Sequence, residues 1–103
     1  MPFIVTHCFF PIQLADKVAQ RYLETMQKLP IPDVIKRIAP PSSVVSREGV
    51  ETIIVDDVKL KNMGDAWEYL NRFLIEFRDI EGFNYERDIH DTVAESLKLI
   101  GMD

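Results

Sequence analysis

The order in which hydrophobic patterns follow one another constrains the fold of this chain more than any other feature of the sequence. The patterns predict four strands, at residues 3–10, 43–47, 50–58 and 83–90, and two long helices, over residues 11–29 and 62–81. The resulting order, β-α-β-β-α-β, is one of the few small arrangements in which two helices cover one face of a sheet. A chain of 103 residues has room for one such unit, so we expect a single α+β domain over residues 1–103.

Several ends of the predicted elements carry their own signals. The pair Glu48-Gly49 predicts a hairpin turn between the second and third strands, with Gly49 supplying a positive φ. Asn62 is expected to cap the second helix, and a short helical turn is expected at residues 33–36. The segment Thr92-Val93-Ala94-Glu95 has the form of a capping box, which predicts a third, short helix near the C-terminus.

Composition excludes several classes of function. The net charge of −5, without a stripe of Lys or Arg, is unfavourable for binding nucleic acid. No apolar run approaches the roughly 18 residues of a membrane-spanning helix, so no membrane partner is expected. Cys8 is the only cysteine and cannot form an internal disulfide, which is typical of a cytoplasmic protein.

Both faces of the first strand are apolar. Alternation places Phe3, Val5, His7 and Phe9 on one face and residues 4, 6, 8 and 10 on the other. Two amphipathic helices can cover only one face of the sheet, so a second copy of the chain is expected to cover the other. The sequence therefore predicts a homodimer that forms through the sheet.

A β-α-β-β-α-β chain with such a first strand, and with a short helix after its last strand, resembles the ferredoxin-like dimeric α+β barrels. The resemblance implies a four-stranded antiparallel sheet with both long helices on one face, and two sheets that pack face to face in the dimer. It also implies that the first strand lies between the third and fourth. These folds host monooxygenases, isomerases and proteins without known activity, so the fold alone does not specify a function.

Three other ferredoxin-like classes lack their required residues in this chain. RNA-recognition domains need aromatic side chains on the third strand, which here reads VETIIVDDV. Metallochaperone domains need a Cys-x-x-Cys loop, and only Cys8 is present. Phosphate-hydrolysing relatives place a Gly-rich turn after the first strand, where this chain has Phe9-Phe10-Pro11-Ile12.

A candidate site follows from the geometry of the strands. If Phe3 lies opposite His90 in an antiparallel pair, then His7 lies opposite Glu86. An imidazole beside a carboxylate can act as a general base, so His7 and Glu86 are the candidate catalytic residues. Candidate ligand-binding residues around them are Phe3, Val5, Phe9, Asp56, Asp88 and His90.

The leading hypothesis is a homodimer that binds a small, mostly apolar molecule between its two sheets. One alternative is a cofactor-independent monooxygenase- or isomerase-like enzyme that uses His7 as its base, and another is an assembly module without a ligand. No cofactor or metal is expected, because the His and carboxylate residues show no metal-binding spacing. A structural interpretation also stays open, in which His7 is a packing residue and Asp56-Asp57 is a solvent-facing strand end.

Overall fold

The computed structural model describes residues 2–102, which form five strands and three helices. The strands are β1 (Phe3–Phe10), β2 (Lys36–Arg37), β3 (Ser42–Ser46), β4 (Gly49–Asp57) and β5 (Asn84–His90). The helices are α1 (Ala15–Lys28), α2 (Met63–Ile75) and α3 (Val93–Leu99). A short 3-10 turn leads into each of the two long helices, at Ile12–Leu14 and Leu60–Asn62.

The sheet is antiparallel, with the order β2-β4-β1-β5 and with β3 also paired to β4. β1 therefore lies in the centre, between β4 and β5, as the resemblance to ferredoxin-like folds implied. The sheet is four strands wide, as predicted, but β2 and β3 together occupy one edge position next to β4. β2 pairs with residues 56–57 of β4, and β3 pairs with residues 49–53 along the same edge. The predicted helical turn at residues 33–36 is wrong at Lys36, which begins β2.

Both long helices pack on the same face of the sheet. The even-numbered residues of β1, from Ile4 to Phe10, are all buried on that face. One core cluster joins Cys8 and Phe10 to Val18 of α1 and Phe73 of α2. A second cluster joins Ile4 to residues of α2 and of the loops, including Ala66, Leu70, Ile35 and Val58. The chain therefore has an α+β fold of the ferredoxin-like type.

The hairpin turn before β4 has the predicted conformation. Gly49 has φ 121°, a value that L side chains rarely adopt. A Cβ atom at this position would lie 2.6 Å from the carbonyl oxygen of Phe10, at the end of β1. Glycine is therefore required both for the turn and for the close approach of the two strands.

The start and end of α2 differ from the prediction. Asn62 occupies the N-cap position, but its side chain makes no capping hydrogen bond. The 3-10 turn takes over this role, because the Met63 amide donates to the carbonyl of Leu60. The helix ends at Ile75 and not near residue 81, and the turns that follow keep Phe77 and Ile80 buried.

The short C-terminal helix α3 is present, and its capping box is formed. The Glu95 amide donates to Thr92 Oγ1 over 3.1 Å, and the Thr92 amide donates to Glu95 Oε1 over 2.8 Å. None of the residues of α3 is buried, and Val93 and Leu99 are largely exposed. The radius of gyration of 15.1 Å exceeds the value of about 13 Å typical of a compact chain of this length. The molecule is therefore elongated, with extents of 48 × 32 × 20 Å.

Candidate functional site on the open face of the sheet

The face of the sheet opposite the two long helices, called the open face here, carries the candidate site. Its central column is formed by Phe3, Val5, His7 and Phe9 of β1, which are all half-buried. Their register partners are Asp57, Val55, Ile53 and Glu51 on β4, and His90, Asp88, Glu86 and Asn84 on β5. A mostly apolar centre that includes His7 is thus bordered by several carboxylates and by the imidazole of His90.

The register that the sequence analysis assumed for β1 and β5 is the one observed. Phe3 lies opposite His90, and His7 lies opposite Glu86. Because paired residues in an antiparallel sheet share a face, Glu86, Asp88 and His90 all lie on the open face with His7. Their positions agree with the sequence analysis, and their roles in binding or catalysis stay predictions.

The carboxylate in contact with His7 is not the predicted Glu86. Among residues 2–102, it is Glu51 Oε2 that lies close to His7 Nδ1, at 3.5 Å. Glu51 pairs with Phe9 in the register, so it is a diagonal neighbour of His7 across β1 and β4. The His7 ring is nearly parallel to that of Phe9, with centroids 6.2 Å apart, which further fixes its orientation.

Asp56 is not part of the open face, and its prediction as a ligand-binding residue there is wrong. It pairs with Ile4, whose side chain points toward the helices, and it is 0% exposed. Arg37 of β2 binds it with two hydrogen bonds, from Nε over 2.8 Å and from Nη2 over 3.2 Å. The neighbouring Asp57 lies on the open face instead, opposite Phe3. The interpretation of Asp56 as a solvent-facing strand end is wrong for the same reason.

The His7–Glu51 pair is an ion-pair contact at 3.5 Å that is partly screened by solvent. The side chains are 31% and 43% exposed, so water weakens their attraction in a single chain. A carboxylate beside an imidazole can orient the ring and stabilise its protonated form. Covering this face would strengthen the interaction, because the effective dielectric constant would fall.

The structure offers no arrangement typical of a metal centre. Within residues 2–102, no group of three or more His, Cys, Asp or Glu side chains is placed so that it could hold a metal ion. In the same part of the chain, no helix combines the length and the apolar character needed to cross a membrane.

Comparisons with known proteins identify the fold and no family. The sequence matches no protein-family model and no curated protein. A de novo designed protein, Foldit4, is similar in structure, with a TM-score of 0.56, 10% identity, and a match over 88% of this chain and 96% of that chain. A formyltetrahydrofolate deformylase from Pseudomonas putida matches 85% of this chain and 28% of its own, with 14% identity and a TM-score of 0.43. At such low identity, the likeness to the designed protein shows a ferredoxin-like fold and nothing about activity.

Proposed function

We propose that this chain forms a homodimer in which the open faces of two copies pack together and enclose a small, mostly apolar molecule. The observation that carries the proposal is the half-buried column of Phe3, Val5 and Phe9 on a face that neither long helix covers. Apolar side chains in the middle of a sheet face gain most from being removed from water. In a homodimer, a second copy of the chain supplies an identical apolar column on its own open face.

The size of the open face supports this arrangement. Strands of eight residues at about 3.3 Å per residue, four strands wide at about 4.8 Å spacing, form a footprint of roughly 26 by 19 Å. Protruding side chains add accessible area to this flat footprint. The total is on the scale of the roughly 800 Å² that each partner buries in a standard interface. The exposed apolar residues Val93 of α3 and Ile100, which directly follows α3, are available to extend it.

The space between two such sheets would have a defined chemistry. Its floor and roof would be apolar, from Phe3, Val5 and Phe9 of each copy, so a mostly apolar molecule fits best. Polar groups would enter at the border, from the His7–Glu51 pair and from β5. This mixture of an apolar lining with few polar groups is typical of small-molecule sites.

The ligand-binding part of the proposal can be tested with an uncharged fluorescent probe, N-phenyl-1-naphthylamine. We expect one saturable site for each dimer, with chemical-shift changes centred on the Val5 and Val55 methyl groups. Val5→Arg would remove both the dimer and this site, whereas the matched substitution Ile12→Arg lies outside the sheet and would leave both intact. Saturable binding without any change at Val5 or Val55 would contradict a site between the sheets.

A second candidate function, a cofactor-independent enzyme with His7 as its base, is supported by the contact between His7 and Glu51. A catalytic His7 contributes little to folding, so His7→Ala would leave the melting temperature of the dimer nearly unchanged. A structural His7 would instead cost about 1–3 kcal/mol on removal, through a small cavity and an unpaired carboxylate. A loss of that size in denaturant unfolding would therefore contradict the catalytic role. Tight packing of the two sheets without any cavity would favour the remaining alternative, an assembly module without a ligand.

A further inference from the structure

A cavity lies on the helix-covered side of the sheet, opposite the open face. It has a volume of about 270 Å³ and lies between the sheet and the two long helices. Phe10 of β1, Phe73 of α2, and Phe77 and Phe83 of the turns that follow supply aromatic walls. Most of these residues belong to the larger of the two core clusters, so the inner wall of the cavity is part of the core, while its outer side is open to solvent.

The cavity is open to solvent on one side, so a ligand can enter it without unfolding of the core. An apolar cavity of about 150 Å³ is already large enough to bind benzene. By that scale, the space next to Phe73 and Phe77 has room for two fused rings.

The lining of the cavity restricts the charge of any occupant. Among the described residues, none of those that line it has a charged side chain. Cys8 lies at its inner wall, and burial raises the pKa of this thiol to about 12, so the thiol stays neutral at physiological pH. A charged ligand would lose its hydration without gaining a partner, which favours an uncharged one.

Two hydroxyl groups provide the polar contact at the rim. Ser43 Oγ and Thr52 Oγ1 lie 3.0 Å apart, and both residues line the cavity. One hydroxyl donates to the other, which leaves one O–H donor and free lone pairs in the pair. A hydroxyl or carbonyl oxygen on a ligand could therefore be bound at this rim.

We propose that the cavity beneath α1 binds an uncharged aromatic molecule of about two fused rings, with one hydroxyl or carbonyl group held by Ser43 and Thr52. The rings pack against Phe73 and Phe77, and the polar group faces the rim where solvent enters. This site is on the opposite side of the sheet from the one proposed above, and it needs no second copy of the chain.

Calorimetric titration with 2-naphthol and naphthalene tests the assignment. We expect both probes to bind with one site per chain, and 2-naphthol to bind more tightly by roughly 3- to 10-fold, the effect of one hydrogen bond. The double variant Ser43→Ala/Thr52→Val removes the hydroxyl pair and would bind the two probes equally. Failure of both probes to saturate the wild-type chain, or an unchanged preference in the double variant, would overturn the proposal.

A second pair of variants tests the position of the rings. Ala19 of α1 lines the cavity and is exposed at its rim, so Ala19→Phe would block the entrance without disturbing the core. Its neighbour Gln20 is exposed and does not line the cavity, so Gln20→Phe serves as the matched control. We expect Ala19→Phe to weaken the binding of both probes by at least about 10-fold, because the new side chain fills the entrance. Gln20→Phe should bind both probes as the wild type does. Equal affinities in the two variants would overturn the proposal.

Nuclear Overhauser effects in the wild-type chain locate the probe without any substitution. The proposal predicts contacts from 2-naphthol to the methyl groups of Ala19 and Ile54, which both line the cavity. Contacts to the methyl groups of Val5 and Val55, without any to Ala19 or Ile54, would instead place the probe on the open face alone. That second result would overturn this proposal while supporting the site between the sheets.

Discussion

The two faces of β1 are almost equally apolar, but the fold treats them differently. On the helix-covered face, Ile4 and Thr6 are almost completely buried beneath the helices. On the open face, Val5 and His7 are only half-buried by their neighbours in the sheet. One side of this strand therefore stabilises the single chain, and the other side is the one on which we propose that a partner and a ligand bind.

Charged groups follow the same division. On the helix-covered face, Asp56 is fully buried and held by two hydrogen bonds from Arg37, whose side chain is 11% exposed. On the open face, His7 and Glu51 meet over a longer distance and stay partly in solvent. The first pair is buried within the fold, whereas the second is accessible to solvent.

The largest effect expected from this difference is on the buried ion pair. Arg37→Ala would leave the Asp56 carboxylate buried without a partner, at a cost of about 3–5 kcal/mol in the free energy of unfolding. The matched control is Arg72→Ala, which breaks the exposed pair between Arg72 and Glu68 on α2 and would cost less than about 0.5 kcal/mol. Urea unfolding measures both, and equal losses in the two variants would contradict the interpretation of Asp56 as a buried, paired charge.

A smaller loss of stability is expected from substitutions that compare the two faces of β1. Ile4→Ala opens a cavity in the core and would lower the free energy of unfolding by about 2–5 kcal/mol at every protein concentration. Val5→Ala acts through the interface, so its effect on the melting temperature would depend on protein concentration. Thermal unfolding over a range of concentrations distinguishes the two. A concentration-independent loss in Val5→Ala, as large as that in Ile4→Ala, would show that the open face belongs to the core of a single chain.

The next effect concerns the coupling between His7 and Glu51. In a single chain both side chains are partly exposed, so a double-mutant cycle with His7→Ala and Glu51→Ala would give a coupling of about 0.2–1 kcal/mol. Covering of the open face would increase this coupling, since water is removed from the pair. Comparing the cycle at low and high protein concentration measures the change. A coupling that is the same at both concentrations would argue that the pair stays in solvent.

The smallest effect is expected at the surface, where Arg21 donates two hydrogen bonds to Asp79. The hydrogen bonds from Arg21 lower the pKa of Asp79 to about 2. Because this value is below that of the unfolded chain, the pair stabilises the fold at neutral pH, and its contribution is lost as the pH falls from about 4 toward about 2. Melting temperatures of the wild type and Asp79→Asn should therefore converge in acid. A gap that widens as the pH falls would contradict the assignment.

The sequence correctly predicted those parts of the fold whose signals lie within one helical turn or in the regular alternation of a whole strand. The capping box of Thr92 and Glu95 predicted α3 although this helix buries none of its residues, because both hydrogen bonds lie within one turn. Alternation in β1 and β5 predicted which of their residues share a face, and the one assumed pair, Phe3 with His90, then defines all the other pairs.

The errors arose where alternation alone does not define which face a residue occupies. In β4, Ile53, Ile54 and Val55 are consecutive apolar residues, so the pattern does not show which side Asp56 faces. Only pairing with β1 places Asp56 toward the helices and Glu51 beside His7. β2 has two residues, which is too short for any periodic signal, so the position of Arg37 could not be predicted from the sequence.

The mass of the protein in solution tests the role of the open face most directly. Sedimentation velocity at micromolar concentration should give twice the 11.9 kDa of one chain for the wild type. Val5→Glu places a charge in the centre of the open face and should give the mass of one chain, whereas Ile12→Glu, which replaces an exposed apolar residue outside the sheet, should stay dimeric. A wild-type chain that sediments as a monomer, or a Val5→Glu chain that still forms the dimer, would contradict an interface on the open face.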